Sequence, residues 1–120
     1  MEFGSGWGLL ALNLAMFGCN VTAVDLNEAS ITLLRRRSEL WGVSLDVVRA
    51  TFLEYAASEC DLILFFEAFH HCNQPLELLT ACRRYLRPGG RVVFLAEPIY
   101  EGFYCPWGVR LDGHAIFMHG

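Results

Sequence analysis

Apolar residues fall along the chain in two kinds of block that alternate. From Leu9 to Phe17 nearly every position is apolar, with Asn13 the polar exception, and Gly18 closes the run. Such a block predicts a helix packed into the body of a protein. Val21-Thr22-Ala23-Val24 is short, rich in β-branched residues and ends at Asp25, which predicts a strand buried on both faces with an acid at its carboxyl end. Asn27 has the chemistry of an N-cap. The helix it opens runs to about Trp41, with Ile31, Leu34 and Trp41 on one face, Glu28, Arg35, Arg36 and Glu39 on the other, and Gly42 as its stop.

The same alternation continues. Leu45 to Arg49 reads as another short strand, followed by a connection through Thr51, Phe52, Glu54 and Tyr55 whose pattern suits helix and loop equally. Asp61 to Phe66 is the most hydrophobic stretch and too short for an ordinary helix, so it is expected to be a central strand. Glu67 to Asn73 reads as a loop, Pro75 opens a helix to Leu86 that Pro88-Gly89-Gly90 stops, and Arg91 to Ala96 is the next strand. Strands and helices in this order predict a parallel sheet with right-handed crossovers and a ligand site at the carboxyl ends of the strands.

Before all of this stands Glu2-Phe3-Gly4-Ser5-Gly6-Trp7-Gly8. A glycine loop feeding a helix N-terminus offers unpaired N–H groups and the positive end of a helix dipole to an anionic ligand, and lets that ligand lie against the main chain. The dinucleotide fingerprint puts its third glycine three residues after the second, where this chain has Leu9. That disfavours a nicotinamide enzyme.

With glycines at 4, 6 and 8 preceded by Glu2, the loop instead resembles the first motif of the class I S-adenosylmethionine-dependent methyltransferases. The order of elements is similar too, as is the turn Leu86-Arg87-Pro88-Gly89-Gly90 leading into a strand, so the resemblance runs from Glu2 to about Glu97. It implies a Rossmann-like α/β fold, a parallel sheet with helices on both faces, and S-adenosyl-L-methionine as cofactor. By position, Gly4, Gly6 and Gly8 would lie against its methionine and ribose parts, Glu2 near the methionine amino group, and Asp25 at the ribose hydroxyls. Where the family often has an acid to read the adenine amino group, this chain has Thr51 followed by Phe52, a departure. Phe66 and the loop through Cys72 fall where the family meets the methionine end of the cofactor and the substrate. His70 or His71 is a candidate general base there, the alternative being one packed ring, one solvated ring and catalysis by alignment.

Composition adjusts this picture in three ways. A 120-residue chain is at most one domain, expected to divide into a cofactor-binding core over 1–96 and an irregular, possibly substrate-side segment over 97–120. Net charge is −4 and the longest basic run is Arg35-Arg36-Arg37, which argues against nucleic acid and toward a small-molecule acceptor. The five scattered cysteines indicate neither a disulfide framework nor a metal site, and with no leader or membrane span a cytoplasmic protein with reduced thiols is expected.

Only Met1-Glu2-Phe3 precede the loop, so the first, central strand is expected to be mostly missing and the last strands absent or incomplete. Such a sheet would leave a gap of about 9–10 Å between Val21–Val24 and Leu62–Phe66 or close over it. The rival to a methyltransferase is therefore a non-catalytic remnant of a cofactor fold.

Overall fold

The computed structural model describes residues 1–55 and 59–98. Most of the irregular segment expected over 97–120, from Ile99 on, lies outside them. Five strands, β1 (Glu2–Phe3), β2 (Thr22–Asp25), β3 (Asp46–Arg49), β4 (Cys60–Phe66) and β5 (Leu86–Leu95), form one sheet in the order β3-β2-β1-β4-β5, with every neighbouring pair parallel. Three helices connect them: α1 (Leu9–Met16), α2 (Glu28–Trp41) and α3 (Pro75–Tyr85).

The two faces of the sheet carry separate cores. Ala23 packs with Ala11 and Leu12 of α1 and Leu34 of α2, whereas its neighbour Val24 packs with Phe3, Ile63, Phe65 and, from α3, Leu78 and Cys82. Successive strand residues point to opposite faces, so α1 and α2 cover one side and α3 the other, as a doubly wound sheet requires. Phe65 centres the second core, stacked on Phe3 and Phe94 at centroid distances of 5.5 and 5.4 Å.

The central strand is as short as the sequence predicts, but the expected gap is bridged. β1 is only two residues long, yet Glu2 pairs with Ala23 and Leu64, and Phe3 with Val24 and Phe65. Met1 extends the ladder: its N–H donates to the Leu62 carbonyl at 2.8 Å, and its carbonyl accepts from Leu64 at 2.9 Å. Three residues thus bridge β2 and β4 at the end that carries the glycine loop. The separation survives only toward the amino ends of the strands, as a cleft of about 520 Å³ lined by Met1, Val21, Thr22, Cys60 and Leu62.

Smaller differences have local causes. α3 ends at Tyr85, and β5 already begins at Leu86 opposite Cys60; the register then shifts before Leu62 pairs with Arg91, so Pro88-Gly89-Gly90 sits in an irregularity of the strand. α1 is less enclosed than its composition suggests, since Leu9 and Met16 are exposed. On α2, Ile31 and Leu34 are fully buried but Trp41 is not, its ring lying under the Arg37 guanidinium at 4.9 Å. Glu67–Asn73 contains a short 3-10 helix, Phe69–His71.

Candidate functional site

The glycine loop leaves β1 between β2 and β4, the place in the strand order where successive connections turn to opposite sides. The N–H groups of Gly4 and Ser5 both donate to the Val24 carbonyl, at 2.8 and 3.1 Å, and Gly8 donates back to Ser5 at 2.8 Å. Gly4, Gly6 and Gly8 all have positive φ, of 68, 52 and 84°. Their surroundings differ. A Cβ on Gly4 would come within 2.5 Å of the Ala68 Cβ, one on Gly8 would run into the Leu34 side chain, and one on Gly6 would meet no atom within 4 Å.

Two of the three glycines are therefore demanded by packing and one by an open approach to the backbone. Gly8→Val should lose about 2–5 kcal/mol, from left-handed strain plus overpacking against Leu34. Gly6→Val should lose only the strain, about 1–2 kcal/mol. Urea unfolding of the two variants checks this, and equal losses would contradict it.

Asp25, ending β2, has both carboxylate oxygens directed at backbone. Oδ2 accepts from Gly6 N–H at 2.7 Å and Oδ1 from Asn27 N–H at 2.8 Å. Asn27 in turn caps α2, accepting from Ala29 and Ser30. Each Asp25 oxygen keeps a further lone pair. The acid thus ties the loop to the second strand while still able to receive a hydroxyl pair.

After β3, the connection whose pattern was open is a turn closed on itself. Thr51 Oγ1 donates to Glu54 Oε2 at 2.8 Å, the Thr51 N–H reaches the same oxygen at 3.2 Å, and the Glu54 N–H returns to Thr51 Oγ1 at 3.2 Å. These bonds hold the Glu54 carboxyl below its usual value. The Phe52 ring packs edge-on against Phe3 and Phe65, at 5.9 and 6.0 Å.

A cleft of about 880 Å³ opens over these strand ends, lined among others by Gly4, Asp25, Leu26, Thr51, Phe52 and His71. Six of the expected site residues thus converge or border on one space when Gly6 is counted through its bond to Asp25. Glu2, Gly8, Phe66, half-buried at the end of β4, and His70 are not among its described lining residues, and Glu2 instead borders the cleft toward the amino ends of the strands. His70 faces away to Glu97, its Nδ1 lying 2.7 Å from Glu97 Oε2. The rings of His70 and His71 lie 4.1 Å apart. Burial, and secondarily His70, holds His71 below its ordinary value, so its ring is neutral at physiological pH.

Three participants escaped the sequence. Ser5 is buried with an unpartnered hydroxyl, Glu54 borders the cleft, and Glu97 binds His70. Glu97 had a visible signal: like Asp25, it is an acid at the carboxyl end of an apolar strand segment, two residues past β5. Glu2 is 2 % exposed, with Oε2 unpartnered, and burial pushes its carboxyl up to about 7 against the opposing pull of the Ala11 amide. Among the described residues no group of three or more His, Cys, Asp or Glu could hold a metal ion.

A methyltransferase-domain family model matches residues 1–94. The chain belongs to this family. It is 35 % identical over 95 residues to a ubiquinone biosynthesis O-methyltransferase of Cereibacter sphaeroides, covering 78 % of this chain and 38 % of that one. The counterpart in Roseobacter denitrificans is 35 % identical over 92 residues, covering 75 % and 37 %. Coclaurine N-methyltransferase, solved with N-methylheliamine and S-adenosylhomocysteine, is 25 % identical with a TM-score of 0.71, covering 78 % of this chain and 29 % of that one. The chain spans about two-fifths of the length of the curated relatives.

The cofactor of this family is S-adenosyl-L-methionine, and the residues fit it. The buried, unpartnered Glu2 Oε2 and Ser5 Oγ are acceptors without donors, and Gly6 leaves open space over the backbone. An ammonium-bearing nucleoside would supply the donors and fill the space.

Proposed function

We propose that the chain binds S-adenosyl-L-methionine across the carboxyl ends of β1–β4 and transfers its methyl group to a hydroxyl of a small-molecule acceptor. Asp25 receives the ribose hydroxyls, Gly4 to Gly8 cradle the ribose and methionine, Glu2 faces the amino group, and the side of the cleft bounded by Leu26, Thr51 and Phe52 takes the adenine. Thr51 already serves the turn, and Phe52 the core, so the base meets an edge rather than a stacking ring. When bound, the cofactor supplies a methyl group activated by its own sulfonium charge.

The protein's part is alignment and removal of one proton. The neutral imidazole of His71 would take the proton that the acceptor hydroxyl gives up on methylation. The observation that carries this reading is His71 in the same cleft as Gly4 and Asp25, with its ring held unprotonated. Similarity to O-methyltransferases supports oxygen as the acceptor atom. The net charge of −4 favours a small molecule over nucleic acid. No helix among the described residues is long and apolar enough to cross a membrane.

Label transfer from methyl-labelled S-adenosylmethionine to catechol, chosen as a hydroxyl probe, tests the proposal. Transfer that is lost in Asp25→Ala is expected. Cofactor binding without transfer to any hydroxyl in an acceptor panel would leave the remnant reading in its place.

A further inference from the structure

Glu97 lies two residues past the end of β5, and its carboxylate ties the ends of β4 and β5 together. Oε1 accepts the N–H groups of Ala68 at 2.8 Å and Phe69 at 2.7 Å. Oε2 accepts the N–H of His70 at 3.2 Å and lies 2.7 Å from the Nδ1 of the same residue. The Glu97 side chain is 5 % exposed and that of His70 11 %. Burial works against its charge, yet the His70 ring and the three amides together hold the carboxyl below its usual value.

The clasp spans two conformations that ordinarily cost energy. Glu67, after β4, and Ala96, before Glu97, have φ of 49° and 53°, and neither is glycine. Such residues persist where surrounding bonds hold them, and they gather at functional sites. Here Glu67 donates to the Leu95 carbonyl at 3.0 Å, and the Glu97 carboxylate secures the next three residues.

A carboxylate has only acceptors to offer, so the His70 nitrogen facing it carries a hydrogen. The His70 ring lies against that of His71, which borders the cleft. We propose that Glu97 is the positioning residue of the acceptor side: it fixes Nδ1 of His70 as the protonated nitrogen and, through the paired rings, holds His71 toward the methyl donor. Its catalytic half rests on the methyl-transfer reading above.

Glu97→Gln separates this role from simple capping. The single amide oxygen is taken by Ala68 and Phe69, which leaves the amide NH₂ facing His70 Nδ1 and reverses the hydrogen bond. Long-range ¹H–¹⁵N spectra of the histidine-labelled full chain should show a protonated Nδ1 on His70 in the wild type and a bare Nδ1 in the variant. Methyl transfer to catechol should fall about tenfold to hundredfold in kcat, with KM for S-adenosylmethionine within about twofold. His70→Gln keeps a donor for Glu97 but removes the ring beside His71, and the same fall in kcat is expected.

A protonated Nδ1 in Glu97→Gln, or undiminished kcat in either variant, overturns the proposal alone. A wild-type chain without turnover overturns the methyl-transfer reading, and the catalytic half of the proposal with it.

Discussion

Replacing His71 with alanine should lower kcat about 10²–10⁴-fold while leaving cofactor affinity nearly unchanged, the usual loss when a general base is removed. The residue borders the cleft without sharing the contacts that hold the glycine loop, so binding and chemistry should separate cleanly. The pH dependence has a definite sign. A His71 general base would act unprotonated, and burial holds its titration below the ordinary value of 6.5, so kcat should be flat at neutral pH and fall only as pH drops beneath that value. Steady-state kinetics from pH 5 to 8 check both statements. A variant with wild-type turnover would make alignment alone sufficient.

Glu2 should produce the largest pH-linked effect on stability. Its carboxyl is raised from 4.5 to about 7 by burial, so the folded chain prefers it protonated. A carboxyl raised on folding contributes stability that is present at low pH and lost as pH climbs through its folded value. The loss therefore falls between pH 4.5 and about 7. At about 1.4 kcal/mol per unit it amounts to about 3 kcal/mol. Glu2→Gln should accordingly match the wild type near pH 4 and exceed it by about that amount at pH 8 in the absence of cofactor. The same variant should bind S-adenosylmethionine more weakly, because it lacks the charge that an ammonium group would meet. Urea unfolding at the two pH values decides this, and a difference that does not change with pH would contradict it.

The alternation of parallel strands with helices on both faces was legible because it follows from local pattern. The β-branched block at 21–24 ending in an acid and the Asn27 cap mark boundaries that tertiary contacts then kept, to within a residue or two, whereas the Pro88-Gly89-Gly90 turn does not, because β5 already starts at Leu86. Burial was less legible. The apolar run from Leu9 to Phe17 suggested a helix enclosed on all sides, but only Ala11 and Leu12 are fully covered. Hydrophobicity alone does not say how many sides of a helix have neighbours.

The central strand was legible as mostly missing, but the way its remainder closes the sheet was not. Two residues are too few to read as a strand by periodicity, and what makes β1 one is pairing on both sides with segments far along the chain. The site shows the same division. The turn-forming glycines and an acid ending β2 could be read from sequence because both follow from backbone chemistry. The separate duties of Gly8 and Gly6, the Thr51–Glu54 turn and the Glu97–His70 pair depend on which side chains meet across loops, with partners up to 27 positions apart.

Titration calorimetry of the full chain with S-adenosylhomocysteine, run beside Asp25→Ala, tests the central claim most directly. One molecule should bind per chain, and the substitution should weaken binding about tenfold to hundredfold by removing a charged acceptor of two hydroxyls and loosening its hold on Gly6. No binding heat from the wild type, or equal affinity in a folded Asp25→Ala chain, would contradict the account.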